Sequence, residues 1–327
     1  NMPEVSIVLA AYQSNRTLGG CLEALSRQTF RDFELVIVDS GSDDGAESVV
    51  RRQCPEARYW RSPDRLLAHA ALNRGVGMSS GRLLAFTDPD AYARPDWLER
   101  LVRAHRETGR VVVGAVACYG RRWLDVGAHL CKFDGWLPGG GRREIDLAPT
   151  VNAIIDRALF ELEGRFLDDH VHADTDFSWR LASHGHRLLF EPAAVVEHHH
   201  LHTWPSLLRE RFDRGRSFAR LWMNWTSPSP ARLAWWAAAS MLPLRLASQV
   251  WRASGRARCS GWWGVFLGSL PVFVSGRWAW LMGELAEYLP VLLTRRPGAR
   301  LPDQTAGAPE AGQGSNPAPG SERAGPK

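Results

Sequence analysis

Apolar positions in the first 117 residues follow two alternating rhythms. Short unbroken apolar runs occur at 5–10, 35–38, 83–87 and 111–117, with a weaker one at 58–60. Between the first two the spacing turns helical: Leu18, Cys21, Leu22 and Leu25 recur at i, i+3, i+4 and i+7 behind a cap at Ser14 or Asn15. Further helices are expected near 46–53, across 65–78, and from Pro95 onward. Strands separated by helical stretches read as a parallel α/β sheet.

The rhythm breaks at 119–148, a stretch rich in Gly and Arg with little periodicity, expected to be a long surface or lid-like segment. It resumes with a strand at 151–155, a helix to about 163, a helix near 174–184 and a strand at 187–190. Beyond 203 the composition shifts, and ten of the fifteen Trp lie past residue 200. On a helical wheel Leu233, Trp236, Leu244, Ala247 and Trp251 share one face and Arg245, Arg252 and Arg256 another, with a kink expected at Pro243. Cys259 to Gly276 forms 18 residues without a charge, at the lower edge of spanning length, weakened by four Gly and Pro271. An in-plane amphipathic hairpin or re-entrant helix with Trp at a membrane interface is the favoured reading. A Trp core buried against the rest of the chain is the alternative. The expected division is an α/β domain over 1–203, in halves 1–117 and 118–203, a helical extension over 204–296, and a disordered Pro/Gly/Ala/Ser-rich tail over 297–327.

Composition adds less. The formal charge is +5, and Lys occurs only at 132 and 327, so nearly all positive charge is Arg. Arg209, Arg211, Arg214, Arg216 and Arg220 alternate with Leu207, Leu208, Phe212 and Phe218. No nucleic-acid reader motif accompanies them, so nucleic acid is not an expected partner. The run suits a diphosphate, an anionic lipid surface, or a plain solvated helix face. Cysteines 21, 54, 118, 131 and 259 are scattered and include no Cys-x-x-Cys pair. That argues against a disulfide framework or a Cys-based zinc site, and fits a reducing compartment. No charged-then-apolar leader precedes the first strand, so secretion is not expected.

The sharpest chemical signal is Asp88-Pro89-Asp90, placed where the apolar run Leu83 to Thr87 ends. Two carboxylates at a strand's end sit at the sheet's carboxyl edge, where open α/β folds bind ligands. Two hard oxygen ligands suit a divalent cation, which commonly adds substrate phosphates to one or two carboxylates.

Several stretches in order carry a family resemblance. Val5 to Tyr12, then Leu35-Val36-Ile37-Val38-Asp39-Ser40-Gly41, Asn73-Arg74-Gly75, Ser80-Gly81 and Asp88/Asp90 resemble the nucleotide-sugar-binding half of family 2 glycosyltransferases, bacterial envelope-glycan type. Gly164 to Asp168 followed by Asp174-Thr175-Asp176-Phe177-Ser178-Trp179 resembles the family's acceptor-side helix. The resemblance implies the GT-A fold: a doubly wound, mostly parallel, Rossmann-like sheet, here with a helical, Trp-rich carboxyl-terminal extension. It implies an inverting transfer from a UDP-, GDP- or dTDP-sugar to an acceptor hydroxyl, with Mg²⁺ or Mn²⁺, the acceptor being a glycan or lipid-linked glycan. It further implies Ala10, Tyr12, Asp39, Gly41, Asn73 and Asp88 at the donor, Asp90 as metal ligand, and Asp174 as the base, or Asp176 if the register is shifted by two. A histidine in the run 198–200 completes the implied metal site, His198 before His200, while His170, His172, His184 and His186 are expected on the surface or the acceptor loop. The implied location is the cytoplasmic face of the bacterial cell membrane, peripherally bound.

One position departs from the family pattern. Ala173 stands where a Glu usually precedes the Asp. This keeps a non-catalytic, membrane-associated sugar-nucleotide-binding protein among the alternatives. A sugar nucleotidyltransferase is the other, but such enzymes usually carry a Gly-rich amino-terminal loop with Lys. Residues 9–20 hold no Lys, and Gly only at 19 and 20.

Overall fold

The structure, a computed structural model, describes residues 2–294. Its first part runs β1 (Val5–Ala11), α1 (Asn15–Ser26), β2 (Phe33–Asp39), α2 (Ala46–Gln53), β3 (Arg58–Arg61), α3 (Ala68–Met78) and β4 (Leu83–Thr87). These strands pair in parallel in the order β3-β2-β1-β4, with Val8 level with Val36 and Phe86. Helices cover both faces, which is why β1, β2 and β4 read as continuous apolar runs. β2 and β4 leave β1 on opposite sides, and ligands bind at such a switch point, beyond the strands' carboxyl ends.

The second part runs β5 (Ala91–Ala93), α4 (Trp97–Thr108), β6 (Val112–Cys118), α5 (Trp123–Phe133), β7 (Arg143–Ile145), β8 (Asn152–Asp156), α6 (Arg157–Leu162), α7 (Ala173–Ser183) and β9 (Leu188–His198). The sheet continues β4-β8-β6-β9-β5, with β7 also on β9. Here β8 runs antiparallel to β4 and β6, and β9 antiparallel to β5 and β7. Asn152 knots this half together. Its buried Nδ2 donates to the carbonyls of Ala115 and Ala194, and its Oδ1 accepts from Trp97 Nε1. The strand expected at 187–190 extends to His198, because Pro192 lies in a bulge: Glu191 is level with Gly114 but Val195 with Ala115.

The 119–148 expectation is corrected. Its residues Trp123–Phe133 form α5, in which Val126 to Cys131 are all buried. A helix covered on every side carries no amphipathic stripe for the sequence to reveal.

Four helices follow: α8 (Trp204–Thr226), α9 (Pro230–Met241), α10 (Pro243–Cys259) and α11 (Trp263–Thr294). Thr203 and Ser206 cap α8 reciprocally, and Ser229 caps α9. Pro243 occupies the first turn of α10, where its missing N–H costs nothing, so it starts a helix rather than kinking one. The uncharged stretch from 259 is likewise not one segment: α10 ends at Cys259 and Gly261, at φ 75°, turns the chain into α11. Helix α11 is long and apolar enough to cross a membrane, and 33% of its most apolar window is buried within the protein. Its buried Glu284 accepts from Arg245 Nη1 (2.5 Å) and Trp280 Nε1 (2.6 Å). The tail expected over 297–327 lies outside the described residues.

Candidate active site

The parallel half delivers its residues to one edge. Ala10 is the penultimate residue of β1, and beyond it Tyr12 is exposed with the Arg65 guanidinium 4.4 Å over its ring. Asp39 ends β2, buried, its Oδ1 accepting the Ser42 N–H (2.8 Å) and its Oδ2 the Tyr59 hydroxyl (2.5 Å). Burial first, then that bond, pushes the Tyr59 phenol well above its ordinary range. Gly41, at φ 80°, turns the chain against the Ser62 and Asp64 backbone. Asn73 is engaged elsewhere: its Nδ2 donates to the Phe166 carbonyl (2.8 Å) and Asp168 (2.7 Å), and its Oδ1 accepts the Phe166 N–H. It braces the loop after α6 against α3.

Past β4 the chain turns through Asp88 and Asp90 into β5, and β5 pairs Ala91 with His198. That pairing brings together residues more than a hundred positions apart. Donor atoms of Asp88, Asp90 and His198 all lie within 4.8 Å of one another, with His198 Nε2 3.4 Å from Asp90 Oδ1. Burial, then repulsion from Asp90 and Asp174, pushes the Asp88 carboxyl up to about 7. Burial raises Asp90 to about 6 against the pull of Lys132. Burial, then Lys132, lowers His198 to about 3, so its imidazole is neutral, the form that ligates metal. Its Nδ1 is buried with no hydrogen-bond partner among the described residues. Two mutually repelling carboxylates beside a neutral imidazole fit a hard divalent cation, which would relieve the repulsion. Of the other two, His199 points to the opposite face, as an immediate neighbour in an extended chain must, and His200 returns to the face of His198. His199 meets the Tyr92 hydroxyl at 3.2 Å, while His200 stacks on His198 and directs Nε2 at His129.

Asp174 is the second residue of α7 and has His69 Nε2 at 4.0 Å. It lines a cavity of about 600 Å³ together with Asp88, His198, Lys132 and Arg214. Asp176 is buried and committed, accepting from Arg180 Nε (2.9 Å) and Trp225 Nε1 (2.7 Å). His172 is not a surface residue. It is buried, donates Nε2–H to the Arg214 carbonyl, and is pushed down to about 4 by burial and then by Arg214.

The sequence reading named Arg211 and Arg214 in a run suited to a diphosphate, but missed Lys132 in the same cationic wall of this cavity. Lys132, on α5, forms an ion pair with Glu210, Nζ lying 2.9 Å from Oε2, and meets His202 Nε2 (2.9 Å). Burial pushes Glu210 up, but Lys132, Arg211 and Arg214 outweigh it and hold the carboxyl at about 2. Arg211 is buried, 4.5 Å over the Trp280 ring, whereas Arg216 turns outward to Glu287. The signal was available: Lys132 is the sole lysine before the last residue of the chain. A second, open groove of about 1380 Å³ between the 167–171 loop and α8 shares Glu210 and Arg214 with the cavity.

Residues 6–160 match the family described as Glycosyl transferase family 2. The chain is 27% identical over 232 residues to the "Glycosyltransferase AglE" of Haloferax volcanii, spanning 68% of this chain and 75% of that one. It is 31% identical over 210 residues to the "Succinoglycan biosynthesis protein ExoM" of Rhizobium meliloti, spanning 58% and 65%. Its fold is similar to that of the mannosyltransferase PcManGT from Pyrobaculum calidifontis, solved with GDP-Man and Mn²⁺, at TM-score 0.56 and 19% identity over 90% of this chain and 88% of that one.

Proposed function

We propose that the chain is a family 2 glycosyltransferase, as the match over residues 6–160 and its GT-A fold support, and that it moves a sugar from a nucleoside diphosphate donor to an acceptor hydroxyl in one inverting displacement. The observation that carries this reading is the cavity with Asp174 among its walls together with Asp88 and His198, beside Asp90. A base and a leaving-group site thus share one space.

The donor's nucleoside would lie along Ala10, Tyr12, Asp39 and Gly41, with its diphosphate beside Asp88. Asp90 and His198 would hold Mg²⁺ or Mn²⁺, which when bound neutralises charge developing on the departing nucleoside diphosphate. The chain's own residues supply the rest. Arg214 and Lys132 place positive charge on the cavity wall. Asp174 accepts the proton of the acceptor hydroxyl as its oxygen bonds to the anomeric carbon and the carbon–diphosphate bond breaks. Attack opposite the leaving group inverts the anomeric centre. Asp176 cannot take that role while Arg180 and Trp225 occupy its oxygens. The open groove beside α8 is wide enough for a glycan or lipid-linked acceptor.

The same reading puts the protein peripherally on the inner face of the cell membrane. Between Asp213 and Glu284 the chain carries nine Arg and no Asp, Glu or Lys. Trp235, Met241, Leu244 and Trp251 on α9 and α10 are exposed. Apolar anchors among fixed positive charges suit an anionic lipid surface.

Calorimetry with UDP, GDP, TDP and CDP, each with and without Mn²⁺, tests the site. One nucleotide should bind wild type and Asp174→Asn only with metal, and should not bind Asp90→Asn. Normal transfer by Asp174→Asn would remove that residue as base. Failure of all four to bind folded protein would end the transferase reading.

A further inference from the structure

A second donor cluster lies behind the first, and its chemistry differs. Cys118 ends β6, His129 lies within α5, and His200 follows β9. One ligand atom from each, a sulfur and two imidazole nitrogens, lies within 4.8 Å of the others. Both histidines are buried and the cysteine is partly so. The three are far apart in the chain, so the absence of any Cys-x-x-Cys spacing gave no hint of them.

Two details go beyond proximity. His129 Nε2 lies 3.1 Å from the Val116 carbonyl, which can only accept, so that nitrogen carries the proton. The lone pair of His129 Nδ1 is therefore aimed inward, at His200 Nε2 3.1 Å away. A histidine that ligates metal through one nitrogen characteristically donates its other N–H to a carbonyl or carboxylate in this way. Two nitrogens each about 2.0–2.1 Å from one tetrahedral ion would stand at nearly this separation. Trp262, in the turn between α10 and α11, stacks on His129 with centroids 5.7 Å apart.

We propose that Cys118, His129 and His200 bind a divalent cation of the zinc class at a site separate from the carboxylate site. Thiolate and imidazole select a borderline-soft ion, whereas the Asp88/Asp90 site offers hard oxygens suited to Mg²⁺ or Mn²⁺. Three protein ligands leave a fourth position for water. Binding releases one proton, that of the Cys118 thiol, to solvent, and forms the metal–sulfur bond. The ion ties the ends of β6 and β9 to α5, under the turn that carries Trp262. Its role is to hold the carboxyl-terminal helices on the sheet, whatever reaction the chain performs.

The test uses the full chain, stripped with chelator and titrated with Co²⁺ as a spectroscopic stand-in for zinc. Wild type and Asp90→Asn should both develop a thiolate-to-cobalt charge-transfer band at one equivalent. Zinc should abolish it and excess Mg²⁺ should leave it. The band should be absent from Cys118→Ser. A second measurement needs no variant: iodoacetamide should alkylate Cys118 in stripped protein and cease to do so with zinc, while exposed Cys259 reacts in both. Cobalt bound without a thiolate band, a band that survives in Cys118→Ser, or a band lost in Asp90→Asn would each overturn the proposal. So would alkylation of Cys118 unaffected by zinc.

Discussion

The parallel half of the sheet and the carboxyl-terminal helices bury their surfaces by opposite means. Around β1 the backbones stand apart, and buried Val, Ile and Leu side chains fill the space between sheet and helices. Between α8 and α11 the backbones themselves meet. A methyl group on Gly215 would fall on the Trp280 carbonyl oxygen, and one on Gly283 on that of Phe212, closer than van der Waals contact allows. Gly276 is pressed by Cys131, and Gly127 of α5 by Val272. Such small-residue seams let helices approach without spending large apolar side chains between them, a habit common in lipid. Many large apolar side chains of this region face outward instead. The sheet thus provides a rigid edge for chemistry, and the helices provide exposed surface.

The largest expected effect separates the two regions by function. Asp174→Asn should lower kcat by about 10²–10⁴-fold, the usual worth of a general base, with an unchanged melting temperature. An equal loss from a helix-surface variant such as Trp251→Ala would break the division.

Stability should divide the same way. Glu284→Ala strands Arg245 beside α11 and should cost about 3–5 kcal/mol in denaturant unfolding, the penalty for opening a buried pair. Arg94→Ala, which removes an exposed partner of Glu197, should cost at most about 1 kcal/mol. Next, Gly283→Ala should lose about 1–3 kcal/mol by overpacking. Gly255→Ala, in α10 with open space around it, should gain about 0.5–1 kcal/mol. Equal outcomes for the two glycines would show that the seam is not a packing contact.

Acid titration gives a smaller, signed effect. Glu210 is held at about 2, below the ordinary carboxyl value of 4.5, so its contribution is complete above about pH 4.5 and is lost as pH falls toward 2. Glu210→Gln should flatten that limb of the stability profile. Smallest in the folded protein, Trp235→Ala and Trp251→Ala should each change stability by no more than about 0.5 kcal/mol. The pair together should abolish co-sedimentation with anionic vesicles. Retained binding would remove these tryptophans as anchors.

What could be read from the chain follows from the same contrast. β1, β2 and β4 were legible because two-sided burial leaves uninterrupted apolar runs, and α1 because one-sided burial leaves a period. Helix α5 was not, since Val126 to Cys131 are covered all round and nothing alternates. The placement of Asp88 and Asp90 past a strand's end could be read from the apolar run before them, whereas Asp174 was singled out only through the resemblance of its stretch to an acceptor-side helix. Lys132 was not legible, because it reaches the cavity only through the packing of α5 and α8 on α11. Asn73 shows a further limit: its sequence context pointed to the donor, while its amide is occupied by the loop at Phe166.

The placement of Lys132 has a practical corollary. Lys327 lies outside the described residues, among which Lys132 is the single lysine side chain offered to an amine-directed reagent. That amine is shielded in the wall of the cavity, held by Glu210 and His202. Acylation at Lys132 would therefore report on access to the cavity. Any ligand that fills the cavity should slow it.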